Sequence, residues 1–253
     1  LDTAAKTPLE VDCVFPVLHG SFGEDGTLQG LLEMADLPYV GSGVVGSSVG
    51  MDKIRSKQLW HHLGIPIVPY IGIRRRPDRT ISSQGDELAT AIDGAFGFPV
   101  FVKPNAAGSS VGVTKVTKPQ DLPTALERAF AVDSTVLVEQ AMKVREIETA
   151  VLGNDDVRSF PPGEVIPTHE FYDYAAKYED PDGAHLAVPA DLSPGESEEI
   201  QRVAREAFRA VDGAGFARVD CFLDSRDGNI YVNEINTIPG FTPISMYPKM
   251  VQA

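Results

Sequence analysis

Short runs of apolar, β-branched residues alternate along this chain with longer amphipathic stretches, and this alternation limits the folds that the chain can adopt. The predicted strands are VFPVL, PVFVK, TVLVEQ and EIETAVLG. The predicted helices are TLQGLLEMADL, DKIRSKQLWHHL, PQDLPTALERAF and PGESEEIQRVAREAFRAV. A pattern of this kind is typical of α/β and α+β proteins.

The length of 253 residues allows one large domain or two modest ones. We expect three parts: a partial amino-terminal α/β domain over 1–63, a central α+β segment over 64–160 and a carboxy-terminal α+β segment over 161–253. Turn and linker signals occur at GIPIVP, at RRRPDRTISSQGDE and in the polar tract Tyr172–Ser193. A tract this long without a clear period is usually a functional lid or a disordered segment.

The formal net charge of −14 argues against nucleic acid as a partner, because binding a polyanion depends on Lys and Arg side chains that neutralise phosphates. Cys13 and Cys221 have no CxxC spacing, so neither a disulfide framework nor a zinc site is indicated, and a reducing cytoplasm fits. No apolar run approaches the roughly 20 residues that span a bilayer. We therefore expect a cytoplasmic protein with small ligands and no membrane anchor.

Gly41, Gly43 and Gly46 spell GxGxxG, the fingerprint of dinucleotide-binding folds. That fingerprint requires a strand directly before it and an acidic residue about 20 positions further on, which binds a ribose. Here the preceding segment is a poor strand, and His61 and His62 stand near the required acidic position. The match gives little support for a dinucleotide site.

The pentapeptide GSSVG occurs at 46–50 and at 108–112, and both copies match GxSxG, the nucleophile elbow of α/β-hydrolases. An elbow needs a long strand before the serine and a helix after it. Only two strand-like residues precede the first copy, and Ser110 leads into VTKV, another strand-like run. A serine hydrolase that uses Ser48 or Ser110 therefore fits poorly.

The most informative stretch is FARVDCFLDSRDGNIYVNEIN, which predicts a β-hairpin over Phe216–Asn236 with its turn at RDG. The apolar residues of the first strand alternate with Arg218 and Asp220, which therefore share the other face. If the turn has three residues and Gly228 takes its left-handed position, Asp220 lies opposite Glu234 and Arg218 lies opposite Asn236. One patch then holds all four side chains.

Two carboxylates directly opposite each other repel unless a cation lies between them, and a set of Asp, Glu and Asn oxygens suits Mg²⁺. Arg218 beside them could clamp a phosphate. A solvated hairpin face with a fortuitous charge pattern would give the same letters. The residues that follow, TIPGFTPISMYP, are apolar and rich in Pro and Gly, which favours a site over an open face.

Two lysines stand beside glycine-rich loops. Lys103 ends the run PVFVK before PNAAGSSVG, whose backbone N–H groups could lie against phosphate oxygens. Lys53 opens a helix-like segment after another glycine-rich stretch, a place where anions are favoured. Glu139 and Glu146 flank a predicted turn between strands, where a carboxylate could face a ribose or an exocyclic amine. Ordinary edge or surface side chains would look the same, and no Walker motif is present.

Taken together, these features resemble the ATP-grasp enzymes, and within them most closely the D-alanine:D-alanine ligases. The matching strings are HGSFGEDGTLQG, GSGVVGSSVGMDKIRSKQLW, FVKPNAAGSSVGVTKV, EFYDYAAKY and NEINTIPGFTPISMYPKM. They extend over nearly the whole chain, from Val14 to Met250. The resemblance implies an ATP-grasp fold in which two α+β segments enclose ATP.

The resemblance also implies roles for individual residues. The positions that match the family's nucleotide contacts are Lys53, Lys103, Ser110, Glu139, Ala141, Met142, Glu146, Phe171 and Lys177. Those that match the ligands of two Mg²⁺ ions, or of Mn²⁺, are Asp220, Glu234 and Asn236. Those that match contacts to the D-alanine substrates or to charge developing on them are His19, Glu24, Lys177, Arg218, Gly240, Ser245 and Met246. Ser109 and Tyr178 match a hydrogen-bonded pair that closes a lid.

The implied activity is the ATP-dependent ligation of two D-alanine molecules through a D-alanyl phosphate, for peptidoglycan precursors, by a homodimer. Related ligases that make D-alanyl-D-lactate lack the lid string YDYAAKY, so an amine is the expected second nucleophile. Another carboxylate-amine ligase and a silent nucleotide-binding module remain as alternatives. The family normally has a further strand and glycine-rich loop before this region and a helix after KM; without them, first-substrate binding and dimer formation would be impaired.

Overall fold

The structure, a computed structural model, describes residues 10–108, 110–167 and 184–253. Within those ranges the helices are α1 Thr27–Met34, α2 Val44–Met51, α3 Lys53–His62, α4 Ile81–Ala95, α5 Leu122–Phe130, α6 Pro194–Ala210 and α7 Met246–Gln252. The strands are β1 Tyr70–Arg74, β2 Val100–Pro104, β3 Thr114–Val116, β4 Thr135–Gln140, β5 Val144–Leu152, β6 Arg158–Ser159, β7 Gly163–Pro167, β8 Ala184–Ala187, β9 Phe216–Asp224 and β10 Ile230–Asn236. In this part of the chain no helix is long and apolar enough to cross a bilayer.

The first sheet has four antiparallel strands in the order β1-β4-β2-β3. Strand β2 buries alternate residues, with Val100 and Val102 fully inside. Helices α4 and α5 pack on this apolar face, and Ile92, Leu122 and Leu126 complete the core. The opposite face of β2, which carries Phe101 and Lys103, stays available for ligands.

The second sheet has six antiparallel strands, with the path β10-β9-β5-β7-β8 and β6 paired to β5. Helix α6 covers one face with Ile200, Val203, Ala204, Ala207 and Phe208, all buried against the sheet. Its start is fixed by a capping box, in which Ser193 and Glu196 satisfy each other's backbone N–H groups. The other face of the sheet turns toward the first sheet.

The chain passes from the first sheet to the second between Gln140 and Val144. This point lies before the domain boundary that the sequence predicts near Phe160. Strand β5, which lies inside the predicted central segment, pairs with β9 over its whole length, from Val144–Asp224 to Leu152–Phe216. It therefore belongs structurally with the carboxy-terminal strands. A division of the chain into three domains remains a prediction.

Three local predictions were wrong. The run VFPVL is not a strand: Val14 makes a single bridge to Tyr39, and Pro16 has no N–H group to extend the pairing. The predicted linker RRRPDRTISSQGDE contains the first half of α4, because Thr80 caps that helix by accepting a hydrogen bond from the N–H of Ser83. Of the polar tract Tyr172–Ser193, residues 172–183 lie outside the described residues, and the remainder includes β8, which pairs with β7.

Helix α3 joins the two halves of the molecule. Trp60 is fully buried in the core between the second sheet and α6. Its Nε1 donates a hydrogen bond to the carbonyl oxygen of Ala207 on α6 at 3.0 Å. The indole therefore supplies both apolar contact and a directional bond, and it fixes where α3 lies against α6.

We expect Trp60→Ala to lower the free energy of unfolding by about 3–5 kcal/mol, since a large buried side chain leaves a cavity. Trp60→Phe should cost about 1–3 kcal/mol, because it loses the hydrogen bond and some volume. Leu59→Ala, on the partly exposed side of the same helix, is the control and should change little. Since Trp60 is the only tryptophan, unfolding should be followed by circular dichroism. Equal losses of unfolding free energy in Leu59→Ala and Trp60→Ala would contradict the role of Trp60 in fixing α3 against α6.

Candidate active site

A cleft of about 680 Å³ lies between the two sheets and beside α3. The predicted residues that line it are Lys53, Lys103, Ser110, Glu139, Ala141, Met142, Glu146 and Glu234. Phe101 on β2 and Phe222 on β9 face each other's sheets across it and place apolar surface beside the charged groups. The cleft thus offers flat apolar contact at one place and cations at another, as a nucleotide requires.

A buried ion network stands in one wall. Lys57 of α3 is fully buried and its Nζ lies 2.7 Å from Glu139 Oε1. Lys103 of β2 pairs with the other oxygen of Glu139. The same Lys103 Nζ lies 5.9 Å from the ring centres of Phe101 and Phe222. Sequence analysis placed Lys103 and Glu139 in the site but missed Lys57, because a helical lysine is usually exposed.

The network keeps Glu139 ionised. Burial alone would raise the pKa of Glu139, but Lys103 and Lys57 outweigh it and hold the pKa at about 2. Burial lowers the pKa of Lys57, whereas Glu139 raises the pKa of Lys103 above its ordinary value despite burial. Glu139 is therefore a fixed negative charge that points into the cleft wall at neutral pH.

The hairpin places the predicted polar patch as expected, although by a different route. Glu234 lies opposite Asp220, and Asn236 lies opposite Arg218. The predicted three-residue turn is wrong: Asp224 and Asn229 close the hairpin by a backbone hydrogen bond of 2.9 Å, which leaves four residues in the turn. Gly228, with φ of 73°, takes the left-handed position as predicted.

A bulge in β10 corrects the register after this longer turn. The pairing shifts between Val232 and Glu234, so that Asn233 has no partner in the ladder on β9. Ile230, Val232 and Ile235 all reach the core, which a strand without a bulge could not allow, because residues three apart face opposite sides. The bulge therefore turns Glu234 and Asn236 toward the cleft.

Arg218 and Asp220 are bound to each other on this face. Arg218 Nε and Nη2 each lie 2.7 Å from one oxygen of Asp220, a two-point ion pair. Asn236 Nδ2 donates a third hydrogen bond to Asp220 at 3.1 Å. Burial opposes the charge on Arg218, yet Asp220 and Glu148 raise its pKa well above the ordinary value, so the guanidinium remains charged.

Lys53 connects the helix to the hairpin. Its Nζ lies 3.1 Å from Glu234 Oε2 and donates to the carbonyl oxygen of Ala107 at 2.9 Å. Ala107 belongs to the glycine-rich loop after β2, so one lysine touches both the loop and the proposed metal ligand. A phosphate that entered here would meet a cation already in place.

The oxygen donors of the hairpin fit a divalent cation. Asp220, Glu234 and Asn236 share one face on neighbouring strands, and carboxylate and amide oxygens suit Mg²⁺ or Mn²⁺. Among the described residues no cluster of three or more His, Cys, Asp or Glu side chains has the geometry of a metal site. The trio has only two carboxylates, so its fit rests on the donor chemistry and the shared face.

His19 and Glu24 tie the amino-terminal segment to this site. Glu24 is buried and accepts hydrogen bonds from the N–H groups of Gly20 at 2.6 Å and Ile238 at 2.8 Å. His19 Nδ1 lies 3.1 Å from Glu24 and 3.0 Å from the carbonyl oxygen of Ile238. The contact with Glu24 raises the pKa of His19, against the effects of burial and of Arg218. Both residues hold the loop after β10.

That loop brings together the remaining predicted residues. A Cβ on Gly240 would lie 2.8 Å from Ser245 Oγ, so the backbone passes closely over this hydroxyl. Ser245 Oγ also accepts a hydrogen bond from the N–H of Thr242 at 3.0 Å. The side chain of Met246 is buried in a core cluster, so the predicted contact with a ligand could come only from its backbone. Ser109, Phe171, Lys177 and Tyr178, with the string YDYAAKY, lie outside the described residues.

The two misleading serine motifs have structural explanations. Ser48 lies inside α2 and donates to the carbonyl oxygens of Val44 at 2.7 Å and Asp25 at 2.9 Å, so it is not at a strand-to-helix elbow. Ser110, with φ of 58°, lies in a turn before β3 and lines the cleft. Neither position has the geometry of a nucleophile elbow.

Glu148 of β5 is a further residue that sequence analysis missed. It lies opposite Asp220, and its Oε2 is 3.1 Å from Arg218 Nε. Its alternation with Glu146, both in EIETAVLG, was a usable signal, because residues two apart on a strand share a face. Only the pairing of β5 with β9 reveals which side chains that face meets.

Comparison with known proteins gives the family. The model of the D-ala D-ala ligase C-terminus matches 59–253, and that of the D-ala D-ala ligase N-terminus matches 2–42. A D-alanine–D-alanine ligase of Treponema denticola is 50% identical over 97% of this chain and 66% of its own length. A D-alanine–D-alanine ligase A of Chromobacterium violaceum is 49% identical over 100% of this chain and 68% of its own.

Two solved structures agree with this. The D-alanine-D-alanine ligase from Coxiella burnetii is 39% identical with a TM-score of 0.82, over 96% of this chain and 63% of that one. The VanG D-Ala:D-Ser ligase from Enterococcus faecalis is 38% identical with a TM-score of 0.85, over 96% and 68%. The chain thus spans about two thirds of the length of the relatives that it matches. It belongs to the D-alanine–D-alanine ligase family, whose members have the ATP-grasp fold.

Proposed function

We propose that this protein joins two D-alanine molecules to D-alanyl-D-alanine at the expense of ATP. The observation that carries the proposal is the hairpin face of Arg218, Asp220, Glu234 and Asn236, which meets the cleft at Glu234. There Glu234 lies 3.1 Å from Lys53, and Lys103 lines the same cleft. Such a face can hold a polyphosphate, a divalent cation and a carboxylate at once. The family of the chain supports D-alanine as the substrate.

Nucleotide binding follows from the cleft. The base would lie between Phe101 and Phe222, near the segment that joins β4 to β5 and contains Ala141 and Met142. Glu139 would accept a hydrogen bond from an exocyclic amine, and Glu146 would face the ribose. Lys103 and Lys53 would exchange their contacts with Glu139 and Glu234, in part, for phosphate oxygens.

The chemistry needs stabilised oxygen anions twice. A D-alanine carboxylate oxygen attacks the γ-phosphorus, and the bond from this phosphorus to the β–γ bridging oxygen breaks. ADP departs, and the product of this step is D-alanyl phosphate. The amine of the second D-alanine then attacks the acyl carbon, loses a proton, and expels inorganic phosphate through a tetrahedral intermediate. Arg218 and the N–H of Gly240 would stabilise the charge on oxygen in both steps. Bound at Asp220, Glu234 and Asn236, Mg²⁺ or Mn²⁺ would neutralise charge on the phosphates.

The two reactants need different anchors. Glu24 and His19 hold the loop where the first D-alanine would bind, and Ser245 with the backbone of Met246 would bind the carboxylate of the second. We also propose that Lys177 reaches the same carboxylate and that Phe171 lies against the nucleotide. Closure of Tyr178 onto Ser109 would keep water from the acyl phosphate. A homodimer in the cytoplasm is part of the same proposal.

The decisive experiment measures phosphate release from ATP with Mg²⁺, with and without D-alanine, and detects the product by mass. We expect release that depends on D-alanine and equals dipeptide formation. D-serine and D-lactate should be offered against D-alanine as second substrates, because a solved relative is named a D-Ala:D-Ser ligase. Nucleotide binding without any D-alanine-dependent release, also in a chain extended to the length of its relatives, would support a silent binding module.

Asp220→Asn and Glu234→Gln should each lower kcat by about 10²-fold or more, because several kcal/mol of transition-state stabilisation depend on the metal charge. The midpoint of thermal unfolding should change little in Glu234→Gln but fall in Asp220→Asn, because Arg218 loses the charge of its two-point partner. Asp227→Asn, which removes the same charge from the exposed turn of the same hairpin, should keep normal turnover. Near-normal kcat in both site variants would refute the metal assignment.

The low pKa of Glu139 predicts a specific acid sensitivity. Because its pKa falls from 4.5 to about 2 on folding, its stabilising effect is complete above pH 4.5 and is lost as pH falls toward 2. We expect the unfolding free energy of Glu139→Gln to be lower by about 3–5 kcal/mol at neutral pH and to change less than that of the wild type over this window. Glu127→Gln, an exposed helix variant, should follow the wild type. If the unfolding free energies of wild type and Glu139→Gln changed equally with pH over this window, the result would count against an ionised Glu139.

A further inference from the structure

Three carboxylates form one row across the second sheet. Glu148 on β5 lies opposite Asp220 on β9, and Asp220 lies opposite Glu234 on β10. Their side chains are only 14%, 15% and 27% exposed. Negative charges in such a row repel one another unless cations lie among them. The row is therefore a place where the position of each cation matters.

Arg218 stands between two members of this row. It makes the two-point contact with Asp220 described above, and its Nε lies 3.1 Å from Glu148 Oε2. Asp220 is two residues away on the same strand, whereas Glu148 comes from the neighbouring strand. The guanidinium is thus held by carboxylates from two strands, which share its Nε atom: Asp220 by hydrogen bonds and Glu148 by an ion-pair contact.

The contacts of Arg218 with Asp220 and with Glu148 would respond differently to a bound divalent cation. Both oxygens of Asp220 contact Arg218, so a cation bound to Asp220 would share these oxygens with the guanidinium and weaken the ion pair. The cation would also repel the guanidinium. Glu148 is outside the proposed ligand set of Asp220, Glu234 and Asn236, so its contact with Arg218 could persist.

We infer that Glu148 is a positioning residue that keeps Arg218 directed at the reacting oxygens when Asp220 binds the metal. This inference rests on the proposed function, because it concerns the loaded cleft. Its chemical basis is geometric, since an error of about 1 Å in the placement of a catalytic group can reduce turnover by 10²-fold.

The test compares Glu148→Gln with Glu164→Gln. Glutamine keeps the size of the side chain and removes the charge. Glu164 is on the same sheet and pairs with Arg145 by contacts of 2.6 and 2.8 Å, away from the row, so it is a matched control for the loss of a carboxylate–arginine pair. We expect kcat of Glu148→Gln to fall 10- to 100-fold, with KM for ATP and the half-activating Mn²⁺ concentration within twofold of wild type. Glu164→Gln should keep kcat, even if its thermal midpoint falls further.

A second readout does not depend on turnover. The Nε–H resonance of Arg218, identified by its loss in Arg218→Lys, should remain observable in the wild type after addition of Mg²⁺ and a non-hydrolysable ATP analogue. In Glu148→Gln it should weaken by fast exchange with water only after that addition. If the resonance persists in the wild type and weakens in Glu148→Gln, but the wild type makes no dipeptide, the positioning role stands and the proposed function fails.

Three results would overturn the inference. The first is an unchanged kcat in Glu148→Gln. The second is a loss of kcat that follows the loss of thermal stability equally in both variants, which indicates a purely structural role. The third is a tenfold or larger rise in the half-activating Mn²⁺ concentration with normal kcat at saturation, which would make Glu148 a metal ligand.

Discussion

The buried network of Lys57, Glu139 and Lys103 is the constraint on which the cleft depends. Charges removed from water are stable only when each is paired at close range, so α3 can pack on the first sheet only where Lys57 meets Glu139. That position fixes the rest of the inward face of the helix by its 3.6-residue period. Lys53, one turn earlier, reaches Glu234 of β10, and Trp60, about one turn later, enters the core between the second sheet and α6. One helix face thus sets the two sheets at the distance that forms the cleft.

Three cations of the cleft and the hairpin face are paired with carboxylates. Lys103 contacts Glu139, Lys53 contacts Glu234, and Arg218 contacts Asp220. Phosphates and divalent cations would enter by exchange: the phosphates take the lysines, and the cation takes the carboxylates. Because anion and cation enter together, the charge of the cleft changes little.

The hairpin shows how far local pattern carries and where it stops. Alternation along FARVDCFLD places Arg218 and Asp220 on one face, and β9 has that pattern of burial. In IYVNEIN the apolar residues Ile230 and Val232 are two apart, but the next one, Ile235, is three further on. This break in the alternation is a sequence signal for a bulge, which a hairpin with a three-residue turn would not need. The actual turn has four residues and the bulge restores the pairing, so two departures from the simplest hairpin cancel. The facing pairs were therefore predicted correctly from an incorrect turn.

Sequence alone determined the α+β class, most of the long helices and strands, the hairpin with its polar face, and, through its motifs, the family. These follow from periodicity and turn chemistry, which act between residues close in the chain. Tertiary structure alone decided that Lys57 is buried, that Glu148 stands beside Arg218, and that β5 belongs to the second sheet. It also decided that VFPVL makes only one bridge. The physical reason is that burial of a charge and pairing of a strand depend on partners distant in sequence, whose free-energy contribution exists only after the chain has folded.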